Sequence, residues 1–180
     1  MMLKLLHRIY LMMVHQILLH KRNPILISQP LRFDMITLSI RGSNQKIRSE
    51  LESAFFFYVK RLMPRLKNLE VDIELIRNLA DKEGLYGDCS WNDNNHNPRD
   101  FTIRIDSSLT LDDIHDTLAH EMIHVKQYVR GELVDLIRSP KMCKWMGELV
   151  DWTKLKSDEP WEKETYERSN VLYEEWKSYK

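Results

Sequence analysis

An α+β domain is predicted by three observations. Strict apolar–polar alternation occurs in short runs at residues 36–40, 69–77 and 101–105; apolar residues recur every three or four positions over 47–62 and 111–130; and a Pro-led helical pattern spans 160–178. The 180 residues, 43% hydrophobic, suffice for one core and are too few for two ordinary domains. The expected arrangement is an N-terminal helix, a small β-sheet and two later helices.

Met35 opens the ordered domain, because Ile36, Leu38 and Ile40 alternate with polar residues as a half-buried strand does. Ile47, Leu51, Ala54, Phe55, Tyr58, Val59 and Leu62 form one helical stripe that ends near Pro64. Val71, Ile73 and Leu75 mark a second strand. The stretch 92–100 is rich in Asn and Asp and contains Pro98, so it reads as a loop before the strand Phe101, Ile103, Ile105. Thr110 with Asp113 three residues on resembles a capping box, placed ahead of Leu111, Ile114, Leu118, Met122, Val125 and Val129. That helix should stop at Gly131. A less regular stretch to Glu159 follows, and Pro160 suits the first turn of the last helix.

Charge and composition narrow the functional classes. Lys and Arg total 27 and so do Asp and Glu, so no global field draws the chain to nucleic acid or anionic lipid. The charges are unevenly placed: Lys4, Arg8, Lys21, Arg22 and Arg32 precede the first acid, Asp34. Residues 1–34 therefore read as a basic extension, either an organelle-targeting segment or an upstream start on a shorter protein beginning at Met35, the latter being preferred. No stretch approaches the roughly 20 apolar residues of a membrane span. Cys89 and Cys143 read as two thiols of a reducing compartment, which makes the expected location cytoplasmic. No Gly-rich phosphate loop is present.

The chemistry is concentrated in His120-Glu121-Met122-Ile123-His124, an HExxH motif inside the predicted 111–130 helix. Its spacing puts two imidazoles one turn apart on one face, where they can grip a single metal ion. Zinc suits two neutral imidazoles plus a carboxylate with one position left for water, and Glu121 can reach that water as general base. Seven His and fourteen Glu among 180 residues would produce about 0.02 such matches by accident.

The third ligand is constrained more by exclusion. No histidine follows His124, and Arg130 stands where a third histidine six residues on would be needed. Carboxylates remain: Glu162 and Glu164 on the last helix, with Glu148, Asp135 and Asp151 elsewhere, besides Cys143. Residues 162 and 164 differ by about 200° around a helix, so one of them at most faces the metal. Glu162 shares a face with Tyr166, Tyr173 and Trp176, an aromatic stripe expected to pack inward, and this favours Glu162. Asp116 and Tyr128, one turn before His120 and one turn after His124, are candidates to flank the site. His115 and His96 read as surface histidines.

The run Thr117 to Tyr128, followed by Gly131-Glu132-Leu133, Lys144-Trp145-Met146-Gly147 and Pro160-Trp161-Glu162-Lys163-Glu164, resembles the small stand-alone HExxH proteins of phages and bacteria, the SprT-like or minigluzincin-type metallopeptidases. The resemblance covers about residues 35–180. It implies a compact zincin-like domain with His120, His124 and Glu162 as zinc ligands, Glu121 as catalytic base, and a peptide or protein substrate. By similarity to the gluzincin glutamate helix, the residue orienting the ligand glutamate falls at Tyr166, where the family pattern has an acid. The chain departs from SprT proteins in lacking their third histidine. By analogy with zinc peptidases, the strand 101–105 would be the edge that pairs with substrate.

Two other classes fit parts of the sequence. One is a zinc-binding module without turnover. The other is a DNA-associated protein acting on DNA-bound proteins, for which Lys60, Arg61, Arg65 and Lys67 would be the basic contact; a solvated helix face accounts better for that cluster.

Overall fold

The computed structural model describes residues 35–93, 96–136, 139, 141–154 and 159–180; the basic extension 1–34 lies outside them. Alternation becomes sheet as expected: β1 (Met35–Arg41), β2 (Asn68–Ile76), β3 (Gly87–Trp91) and β4 (Asp100–Asp106) form one sheet in the order β1-β2-β4-β3. The pairs β1–β2 and β2–β4 are parallel, and β3 runs antiparallel to β4. The alternating residues sort by face. Leu69, Val71 and Ile73 of β2 and Phe101, Ile103 and Ile105 of β4 are buried under the helices, each large side chain contributing about 1.5–3 kcal/mol of burial. The other face carries charge, with Arg41 paired to Asp72 and Glu74, and Arg104 bridging Glu83 and Asp88.

Of three long helices, α1 (Gln45–Leu62) and α3 (Leu111–Val129) pack on the buried face, and α4 (Pro160–Tyr179) packs on those two helices. Each starts on a local signal. Asn44 accepts the main-chain N–H of Ile47 at α1, Thr110 accepts that of Asp113 at α3, and Pro160 opens α4. Gly131, at φ +66°, ends α3 in the left-handed conformation. The α+β class and the expected order of elements therefore hold. No helix among the described residues is long and apolar enough to cross a membrane.

Three features differ from expectation. The strand 101–105 is interior rather than an edge; β3, whose alternation rests on Cys89 and Trp91 alone, is the edge beside it. A short helix α2 (Leu79–Glu83) precedes it, held by the buried Asp106 carboxylate, which accepts the N–H groups of Asn78, Ala80 and Ser108. The stretch expected to be irregular after Gly131 contains a second sheet of β5 (Leu133–Asp135), β6 (Met142–Trp145) and β7 (Glu148–Asp151), in that order and antiparallel. Its β6–β7 turn puts Met146 at φ +51° and Gly147 at φ +88°, the conformation of a two-residue hairpin. Met in place of Asn or Asp at the first turn position hides that signal in the sequence.

Candidate metal centre

The site is assembled by two helices from distant parts of the chain. α3 presents His120 and His124 one turn apart, their ring centroids separated by 5.0 Å. α4 packs along α3 and brings Glu162, in its first turn, between them. Glu162 Oε2 lies 3.4 Å from His120 Nε2, and Oε1 lies 3.4 Å from His124 Nε2. One ligand atom from each of the three residues fits within a 4.8 Å span, and among the described residues this is the one such group of His, Cys, Asp or Glu.

These side chains could hold a metal ion. Tetrahedral bonds of about 2.0–2.1 Å require donor atoms about 3.3 Å apart, close to the 3.4 Å separations here. His124 Nε2 is buried and makes no hydrogen bond, an orphaned acceptor or donor that burial penalises unless something binds it. The side chains of His120 and Glu162 keep 15% and 16% exposure while His124 keeps 5%.

Glu121, the next residue of α3 after His120, is buried. Its Oε1 would lie 3.2 Å from a Cβ added to Gly87, and Thr117 Cγ2 would lie 2.5 Å from it. The edge strand β3 therefore passes directly over the Glu121 carboxylate, an approach that only glycine permits.

The two glutamates of α4 separate cleanly. Glu164 does not face the histidines; it accepts from Lys126 Nζ at 2.6 Å, from Gln127 Nε2 at 3.0 Å and from Arg168 at 2.6 Å. Burial opposes its ionisation, but these donors prevail and hold its carboxyl at about 2, below the usual 4.5. Lys126 is itself buried and also binds Glu132 at 2.6 Å. The remaining alternatives sit elsewhere. Asp135 accepts from Tyr128 Oη and Trp91 Nε1, Asp151 pairs with Lys154, Glu148 is exposed, and Cys143 is buried in the second sheet.

Several flanking residues behave differently from the reading of the sequence. Tyr166 is 72% exposed rather than packed inward, although its ring stands against His120 with centroids 5.1 Å apart. His115 is 1% exposed rather than on the surface, stacked on Tyr173 and Trp176 with its Nε2 3.8 Å from Glu50. His96 is exposed, as expected. Asp116, bonded to Ser169 of α4 and within electrostatic reach of His120, is pushed up by burial. Arg61 of the basic cluster is engaged by Glu175 at 2.7 Å.

Sequence reasoning missed Gln127. Its Oε1 lies 2.9 Å from His124 Nδ1, and its Nε2 donates to the main-chain oxygen of Trp161 at 3.0 Å. The available signal was a polar residue three positions after His124, on the neighbouring helix face. No family model, curated protein or solved structure matches this chain.

Proposed function

We propose that the protein is a zinc-dependent metallopeptidase of the zincin-like, gluzincin type. The observation that carries this reading is the convergence of His120 and His124 from α3 with Glu162 from α4, the donor set and spacing that zinc takes. The HExxH motif on a buried helix, the mixed sheet with an antiparallel edge strand beside it, and the resemblance to minigluzincin-type proteins support it.

When bound, zinc would lower the pKa of water to about 7 and polarise a scissile carbonyl. His120, His124 and Glu162 would hold it. Glu121 accepts the proton that water loses on attacking the carbonyl carbon and returns a proton to the departing amine, so water is added across the peptide bond without net change in the protein. β3 supplies the surface along which an extended substrate would lie, because an edge strand can hydrogen-bond a peptide backbone and Gly87 keeps that path close to Glu121.

The test is elemental analysis of the purified chain followed by hydrolysis of a casein-type substrate. The expected result is about one zinc per chain, lost in Glu162→Ala and His124→Ala and retained in Glu121→Gln, with hydrolysis abolished in all three. Equal zinc in wild type and Glu162→Ala would overturn the ligand set. Full activity in Glu121→Gln would overturn the mechanism.

A further inference from the structure

Gln127 is wholly buried, and the polar atoms of its amide face partners whose roles chemistry dictates. The Nε2 atom is 3.0 Å from the main-chain oxygen of Trp161 and 3.0 Å from Oε2 of Glu164. A peptide carbonyl and an ionised carboxylate only accept, so both amide hydrogens are committed to them. The amide oxygen is then the atom facing His124 Nδ1 at 2.9 Å. An amide oxygen cannot donate, so the hydrogen between them belongs to Nδ1. The flipped amide would set its oxygen against two acceptors and its NH2 against the ring, leaving buried groups mismatched.

We infer that Gln127 is a positioning residue that holds His124 as its Nδ1–H tautomer, so that Nε2 keeps a bare lone pair directed at Glu162. A neutral imidazole carries one N–H, and the nitrogen without it is the one that can ligate a metal. The geometry agrees, since His124 Nε2 is the buried atom that makes no hydrogen bond and stands 3.4 Å from Glu162 Oε1. The amide is itself anchored on both sides. Glu164 is clamped by Lys126 and Arg168, each at 2.6 Å, and Trp161 lies in the first turn of α4 beside Glu162. One side chain thereby sets the ring's tautomer and ties the histidine helix to the glutamate helix, as partners behind metal-binding histidines do. The consequence for metal affinity rests on the metallopeptidase reading; the tautomer does not.

The experiment is long-range 15N–1H NMR of the histidine rings in the metal-free, full-length protein at mildly alkaline pH, paired with zinc titration against a competing chelator. Wild type and Gln127→Met, which keeps the volume and removes the amide, are compared. In wild type His124 should show a protonated Nδ1 and an unprotonated Nε2. In Gln127→Met that preference should be lost and the zinc Kd should rise about 10–100-fold. A protonated Nε2 in wild type overturns the inference without any variant, so it remains testable if Gln127→Met does not fold. A folded Gln127→Met with unchanged ring nitrogens and unchanged zinc Kd also overturns it. If wild type shows the Nδ1–H form but binds no zinc, the metallopeptidase reading fails while the tautomer assignment stands.

Discussion

Helix α3 buries a histidine near each end, and the two environments contrast. Near its N-terminal end His115 packs against the rings of Tyr173 and Trp176, 4.5 Å from the latter's centroid, with neither ring nitrogen hydrogen-bonded. Toward the C-terminal end His124 has Nδ1 tied to Gln127 and Nε2 turned toward Glu162 and the second histidine. Both rings are packed against α4. Burial alone therefore does not distinguish a packing histidine from a ligand; what distinguishes them is whether one nitrogen is oriented so that the other is presented to a cluster of donors.

The largest expected effect falls on the polar end. Glu121→Gln should lower peptide hydrolysis by about 10²–10⁴-fold, the contribution of a positioned general base, at unchanged zinc content. His115→Phe should leave hydrolysis near wild type. Activity assays of the two variants side by side break the contrast if their effects are equal.

Next in size is the buried ion network behind the site. Lys126→Met leaves Glu132 and Glu164 facing each other without the buried cation, and should cost about 3–5 kcal/mol in urea unfolding. The same network makes acid destabilising: Glu164 is held at about 2 when folded against 4.5 when unfolded, so its contribution is complete above 4.5 and is lost as pH falls toward 2. Unfolding curves between those values should show this loss, and Glu164→Gln should flatten it.

Gly87→Ala should destabilise by about 1–3 kcal/mol, because the new methyl meets Thr117 Cγ2 at 2.5 Å and must shift β3 or Thr117. Hydrolysis should fall with it. A variant as stable and active as wild type would show that β3 does not need its close approach to α3.

The smallest effect is expected at the aromatic end. His115→Phe keeps a flat ring against Tyr173 and Trp176 and should change stability by less than about 1.5 kcal/mol. It should change the pH profile more. Burial holds the His115 imidazole below 6.5, with Glu50 opposing that shift, so the unfolded chain takes up the proton first. Stability present above 6.5 is therefore lost as pH falls below it, and the phenylalanine variant should lack that limb in thermal melts taken from pH 8 to 5.

Legibility in the sequence followed the strength of the local signal. The stripes of α1 and α3, the cap at Thr110, the stop at Gly131 and the alternation of β1, β2 and β4 are each encoded within a few residues, and all appear at the expected places. β3 reads Gly-Asp-Cys-Ser-Trp, five residues whose alternation rests on Cys89 and Trp91 alone, too little to mark a strand without β4 as its partner. α2 depends on Asp106, some two dozen residues further along the chain. The second sheet is built from strands of three or four residues, too short to leave a periodic pattern.

By itself, the amino-acid sequence determined the α+β class, the helix bearing His120, Glu121 and His124, and the short set of acids that could join them, because helical spacing is a local property of the chain. Only the tertiary structure separated Glu162 from Glu164. Two residues apart on α4, they are divided by how that helix lies against α3: one rotation brings Glu162 to two imidazoles, and the same rotation delivers Glu164 to Lys126 and Gln127. Whether a histidine meets aromatic rings or a carboxylate is likewise decided by the partner helix, since no spacing along α3 records what will be packed against it.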